Sequence, residues 1–261
     1  MRSNKVYIFN TIVITLYSLF CIGACGSKEI VQTKVEKPPA SDVLVRSYAL
    51  FRQREDVSKL HEAVDVLAAA RDPDNRNYEV EWHYAMYTCF LGRVTSDDSN
   101  REKLFDSGKE AARIASRIEP DRPDGYFWLA ANLGELSKMS PISVGLKNID
   151  DIQRAANRVI ELDPGYQGAS AYDILAQVEL NTHLIGGKAE KAVEDLQKGI
   201  EIEKRNSILH LDLARAYIAT NKYDLAKREL ETVVTMEPDP EYLPKHKTTV
   251  ETAKKMLATK F

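Results

Sequence analysis

From Ser41 to Phe261 apolar residues recur at three- and four-residue spacing, and no stretch alternates long enough to read as a half-buried strand. The spacing predicts an all-α chain. Its clearest segment is residues 207–240, SILHLDLARAYIATNKYDLAKRELETVVTMEPDP. Leu213, Ala214 and Tyr217 share one helical face, and Ala226 and Leu230 share another. Small Ala214 and Ala226 let two helices of a hairpin approach closely, and Tyr217 and Leu230 fill the space between them. Pro238 stops the second helix.

This segment resembles the 34-residue tetratricopeptide pattern, with His210 where that pattern has Trp. The unit recurs back toward the N-terminus. Leu44, Tyr48, Phe51, Leu60, Val64, Ala68 and Pro73 fit at the strict spacing. Trp82, Ala85, Gly108, Ala112 and Pro120 fit if the hairpin loop gains residues around 95–100. Tyr126, Leu129, Ala130, Ala156, Val159 and Pro164 fit with an insert near residues 137–147. Tyr172, Leu175, Ala176, Ala192 and Leu196 fit with a shorter insert at residues 184–187. Unit ends at Pro73, Pro120, Pro164, Lys204 and Pro238 lie 47, 44, 40 and 34 residues apart, a shortening assigned here to the loops. Five hairpins and a last helix near residues 245–259 give eleven helices. Val250, Ala253, Met256 and Leu257 line one face of that last helix, as a capping helix requires.

The N-terminal part follows a different pattern. Arg2 and Lys5 precede the apolar run Val6–Phe20, and Ile22-Gly23-Ala24-Cys25 follows. A positive n-region, an apolar core and small residues before a cut site describe a secretory signal over residues 1–24. The run is short for a membrane span, which needs ~20 residues. Ile22-Gly23-Ala24-Cys25 resembles the bacterial lipobox, with Ile where Leu is commoner, and this implies lipidation at Cys25. An ordinary cleaved signal, or an uncleaved anchor, is the alternative. Residues 25–40 then read as a lipidated Cys and a polar tether ending in Pro38-Pro39, and residues 41–261 as the repeat domain. The fifteen tether residues 26–40 reach at most ~50 Å. Cys89 is left as the one cysteine of the folded part, so no intrachain disulfide forms, and its apolar neighbours make it a core residue.

Charge and motifs narrow the chemistry. Without Arg2 and Lys5, 34 of the 36 Lys and Arg remain against 39 Asp and Glu, a balance of −5 that disfavours nucleic acid as a partner. His61-Glu62-Ala63-Val64-Asp65 lacks the second histidine of a zinc-protease helix. Gly186-Gly187-Lys188 lacks the upstream glycine and following Ser or Thr of a phosphate loop, and reads as a helix stop. Asp98-Ser99-Asn100-Arg101-Glu102 starts like a calcium loop but has Lys103 where Gly is needed. No catalytic residue, metal or cofactor is assigned. The aromatic cluster Trp82, His83, Tyr84, Tyr87, Phe90, Tyr126, Phe127 and Trp128 is largely core by spacing. Counted from the repeat register, Trp82 and Tyr126 point into the hairpins. His83, Tyr87 and Phe127 face the inner surface, with Gln177, Leu211, Arg215 and Ile218. Such a face suits an apolar ligand or a partner's side chains.

The lipobox, the tether, the hairpins and three further runs resemble the TatT family, the T components associated with TRAP (tripartite ATP-independent periplasmic) transporters. The runs are Gly125-Tyr126-Phe127-Trp128-Leu129-Ala130-Ala131-Asn132-Leu133-Gly134, Gly186-Gly187-Lys188-Ala189-Glu190-Lys191-Ala192 and Met236-Glu237-Pro238-Asp239-Pro240-Glu241. The resemblance implies a periplasm-facing lipoprotein, at the outer more than the inner membrane, that forms a trimer around a pore or cavity. It implies docking of a TRAP-type solute-binding protein and binding of a hydrophobic or organic-acid ligand, with Trp128 and Asn132 as contact residues from the motif. A tetratricopeptide scaffold that binds peptide segments during envelope assembly is the other reading.

Overall fold

The computed structural model describes residues 39–140, 145–182, 186–237 and 243–261, so the signal, Cys25 and nearly all of the tether lie outside the described residues. Eleven α-helices and no strand occur among the described residues. They are α1 (Ala40–Phe51), α2 (Val57–Ala70), α3 (Tyr78–Val94), α4 (Asp98–Ile118), α5 (Pro123–Met139) and α6 (Leu146–Leu162). There follow α7 (Tyr166–Thr182), α8 (Ala189–Ile202), α9 (Ser207–Ala219), α10 (Tyr223–Thr235) and α11 (Leu243–Lys260). Consecutive helices pair into five antiparallel hairpins, and α11 packs on α9 and α10 at the end of the array. The all-α hairpin superhelix expected from the spacing is what the chain forms.

Helix starts are written in side chains. Asp56, Asn77, Asp97 and Asn206 each accept a hydrogen bond from a backbone N–H of the helix that follows them. Pro123 opens α5, where its missing N–H costs nothing. Gly187 ends α7 by donating its N–H to the Thr182 carbonyl at 2.9 Å, and a Cβ there would sit 2.4 Å from the Glu179 carbonyl oxygen. The Gly186-Gly187 helix stop is therefore as expected.

The longer second unit is explained differently from the sequence expectation. Only residues 95–97 separate α3 from α4, and the extra length lies in the helices, 17 and 21 residues against 13 and 13 for α9 and α10. Asp97 caps the polar run 98–103 into a helix instead of leaving it as a loop or an ion-binding turn. In the first unit Phe51, Leu60 and Val64 are buried as expected, but the start of α1 is turned by one residue. Val43, Ser47 and Leu50 are buried, while Tyr48 is 54% exposed and Ala68 is exposed. Among the described residues α1 packs mainly on α2 and α3, and no described helix precedes it to hold the counted register.

Two large cores carry the packing. One spans α1 to α5, around Leu60, Leu67, Tyr87, Leu91 and Phe105, and reaches Val159 of α6 and Ala171 of α7. The other spans α7 to α11, around Ala176, Leu196, Leu209, Ala214, Ala226 and Leu230, with Ala253 of α11. Fully burying a leucine of either core contributes about 1.5–3 kcal/mol. Cys89 is fully buried, and burial pushes its thiol up, so it is an inert core side chain. No described helix is long and apolar enough to cross a membrane.

Candidate ligand cavity

Between the two cores the helices line a partly open cavity of about 910 Å³. Its apolar wall comes from Phe127, Trp128, Ala130 and Ala131 of α5, Leu146, Ile149 and Ile152 of α6, Ile174 and Val178 of α7 and Ile208 of α9. Gly134 of α5 opens onto it, and a Cβ added there would meet nothing within 4 Å. A helix-interior glycine costs roughly 0.5–1 kcal/mol relative to alanine, and at Gly134 no close packing calls for one. The effect of Gly134 is to leave space.

One part of the wall is strained. Gln167, Gly168 and Ala169 in the first turn of α7 take left-handed backbone angles, with φ of 51°, 66° and 59°. For a residue with a Cβ that region costs roughly 1–2 kcal/mol. Asn206 holds the turn in place. Its Nδ2 donates to the Gly168 carbonyl at 2.7 Å, and its Oδ1 accepts from the Ile208 N–H at 3.1 Å.

Charged groups gather at one end. Arg93 Nε donates to Glu135 Oε1 at 2.8 Å, and Lys138 Nζ donates to the same oxygen at 3.3 Å. Burial pushes the Glu135 carboxyl up, but the two cations outweigh it and hold it below the usual carboxylate range. Lys245 of α11 also lines the cavity, its Nζ 5.7 Å from the centre of the Phe90 ring. Loss of water from the Lys245 ammonium, with Arg93 and then Arg54 nearby, lowers its pKa. Asp173 lines the cavity within electrostatic reach of Arg93, Lys138 and Lys245. Burial and the adjoining Asp212 carboxyl raise its pKa well above the ordinary carboxylate value. Asp212 is itself neutralised, with Arg215 Nη1 donating to it at 2.5 Å and Gln177 Nε2 at 2.8 Å. The Asp173 Oδ1 is closed to solvent and has no hydrogen-bond partner among the described residues.

The residues expected on the inner face divide into two groups. Phe127, Trp128 and Gln177 line the cavity. Asn132 lies behind the wall, its Nδ2 donating to the Trp128 and Ala85 carbonyls and so tying α5 to α3. Leu211 is buried in the second core, and Arg215 serves Asp212. His83 and Tyr87 sit apart from the cavity, and the expected orientation of α3 is corrected. Tyr87 is fully buried and stacked on Phe51 at 4.1 Å, whereas Trp82 is half-buried, stacks on His83 and donates to Glu79. The docking of α1 on α3 turns the Tyr87 side inward. Arg93, Gly134, Ile152, Asp173 and Lys245 escaped the sequence reading. Of these only Gly134 carried a local signal, an unexplained glycine inside a helical run.

Antiparallel hairpins of this size, stacked with small residues at their crossings, define a tetratricopeptide-type helical-repeat protein, and comparisons agree. The profile of a tetratricopeptide repeat family matches residues 183–244, and that of Regulator of microtubule dynamics protein 1-3 matches residues 46–172. TTC0263, a thermophilic TPR protein of Thermus thermophilus, is similar with a TM-score of 0.59 at 15% identity, over 83% of this chain and 99% of that one. A double mutant of MamA RS-1 is similar with a TM-score of 0.50 at 13% identity, over 86% of this chain and 99% of that one. No curated protein sequence matches the chain. The tetratricopeptide match covers residues 183–244, and tetratricopeptide repeats typically bind protein partners.

Proposed function

We propose that the chain is a lipid-anchored, periplasm-facing component of a TRAP-type transport system, the T component. In this reading the repeat domain docks the system's solute-binding protein and receives a hydrophobic or organic-acid ligand in its cavity, as a trimer held to the membrane by Cys25. The observation that carries the reading is the cavity itself, about 910 Å³, with a wall that is apolar over most of its area and polar and charged side chains set among the apolar ones. That is the make-up of a small-molecule site, where a scaffold reading extended peptides needs only an open groove. The lipobox-like Ile22-Gly23-Ala24-Cys25 supports the anchor, and several acyl chains hold a protein where one does so marginally.

Two measurements test this. Expressed in bacteria, the full chain should incorporate labelled fatty acid and stay with membranes, and Cys25→Ala should do neither. Purified full chain should bind the solute-binding protein encoded beside its own gene with a dissociation constant in the micromolar range or below, about −8 kcal/mol. Labelling of Cys25→Ala at the wild-type level would refute the anchor. Absence of binding to the solute-binding protein would leave the peptide-binding scaffold as the function.

A further inference from the structure

We propose that Arg54, Arg93 and Lys245 form a docking patch for an acidic segment of a protein partner, set where the first two hairpins and the last helix come together. The inference rests on the protein-docking part of the proposed function and adds where, and by what chemistry, the partner is held.

The patch is built around one ring. Lys245 Nζ lies 5.7 Å from the centre of Phe90, and the guanidinium carbons of Arg54 and Arg93 lie 5.9 and 6.0 Å from it. Three elements supply these cations: the connection after α1, the last turn of α3 and the start of α11. Because α11 packs mainly on α9 and α10, it reaches Phe90 through the Lys245 side chain.

Counter-ions are too few. Arg93 shares Glu135 with Lys138. Arg54 and Lys245 have no carboxylate within ion-pair distance among the described residues, and Arg54 lies over the Phe51 ring at 4.8 Å with a bond to the Phe51 carbonyl. Counting Asp173 as fully ionised adds one negative charge to that of Glu135, against the positive charges of Arg54, Arg93, Lys138 and Lys245. Positive charge remains in excess on a chain whose formal charge is −3. Elsewhere cations are neutralised on their own helices, as Arg101 by Asp98, Arg113 by Glu110 and Arg158 by Glu161. The cluster departs from that habit.

Exposure and spacing favour a protein segment as the occupant. Lys245 is exposed, Arg54 is half-buried and the Arg93 side chain is 39% exposed, so a partner's surface can reach all three. Groups set around one ring at these distances lie at most about 12 Å apart, a span of roughly four residues of extended peptide. A run of Asp and Glu can therefore answer several of the cations at once. Clustered like charge also steers such a segment toward the patch before contact.

The test uses blocked hexaglutamate and hexaglutamine peptides, which differ in charge and hardly in shape. Each is titrated by calorimetry into the full chain held in nanodiscs of neutral lipid, with empty nanodiscs as the blank. Hexaglutamate should bind at least about tenfold more tightly, the scale of one charge-assisted hydrogen bond. Raising salt from about 0.05 to about 0.5 M should remove most of that difference. Arg54→Gln combined with Lys245→Gln should weaken hexaglutamate binding about tenfold with unchanged circular dichroism. Lys254→Gln combined with Lys255→Gln, both exposed on α11, should change it by less than about twofold. Equal binding of the two peptides, or equal losses in the two double variants, overturns the patch. So does binding of Cys25→Ala to phosphatidylglycerol vesicles that the Arg54 and Lys245 changes abolish, which would assign the charges to a lipid surface. The solute-binding protein encoded beside the gene separates the patch from the transport reading. If it binds and the Arg54 and Lys245 changes leave its affinity unaltered, the patch is overturned and the transport reading stands. If it does not bind while hexaglutamate still selects the patch, the transport reading falls and the docking surface stands.

Discussion

At the scale of single residues, two glycines of α5 make opposite demands. A Cβ on Gly125 would lie 2.5 Å from the Ser116 nitrogen and 2.9 Å from its Cα, both backbone atoms of α4, so α5 cannot accept it without moving away. Gly125→Ala should cost about 1–3 kcal/mol or more, and Gly134→Ala should instead gain roughly 0.5–1 kcal/mol. Denaturant titration distinguishes them, and equal effects would place α5 wrongly against α4. Asp173 makes the second residue-scale case. Its pKa in the folded chain lies above its ordinary 3.8, so the unfolded chain ionises first, and stability is lost as pH rises from near 3.8 through the folded value. The groups set around it are Asp212 of α9, Gln177 of α7, Lys138 of α5, Arg93 of α3 and Lys245 of α11. Asp173→Asn should leave melting unchanged near pH 3 and raise the melting temperature at pH 7. Each 1 kcal/mol recovered appears as roughly 2–4 °C. Equal melting temperatures at pH 7 would mean that Asp173 finds compensation as an ion.

At the scale of elements, hairpins are joined by specific ion pairs as well as by apolar faces. Glu81 at the start of α3 is almost wholly buried, and Arg71 and Arg76 of the connection from α2 bind its two oxygens at 2.9 and 2.7 Å. Glu81→Ala would leave both guanidinium groups facing a wall without an anion. The cost should be about 3 kcal/mol in denaturant titration, the low end for a broken buried pair because both arginines keep some water. A cost below about 1 kcal/mol would make the pair incidental. The hairpins were legible in the sequence because their packing rule is local, small residues such as Ala214 and Ala226 falling on the facing sides of the two helices of one hairpin. The polar run 95–100 misled because polar composition reads as loop, while a single cap at Asp97 suffices to make it helix. The cavity was legible only in part. Phe127 and Gln177 were reached by counting along α5 and α7 and Trp128 by the family-like run, while the same counting misplaced His83 and Tyr87 on α3, where α1 docks. Arg93, Asp173 and Lys245 meet only through the superhelix, and no local spacing records that meeting.

At the scale of the molecule, the two cores let the array respond unevenly. Stability in stacked repeats is close to a sum of units and their interfaces, so a lesion at one end loosens its own neighbours first. Ala253 of α11 is fully buried against the C-terminal core. Ala253→Glu buries a charge there at a cost of several kcal/mol, and should speed hydrogen exchange in α8 to α10 while leaving α3 and α4 near wild type. Uniform acceleration would show a single cooperative block instead. The space kept open by Gly134 has its own consequence by mass action. A chamber with few atoms opposite its walls forgoes packing energy, and whatever fills it restores some of that by binding only the folded form. At a hundred times its dissociation constant, a cargo adds about 2.7 kcal/mol. At roughly 2–4 °C per kcal/mol, this raises the melting temperature by roughly 5–10 °C. A chain drawn from its native cells with cargo aboard should therefore melt later than the same chain stripped and refolded. Heat alone would then show whether anything occupies the chamber.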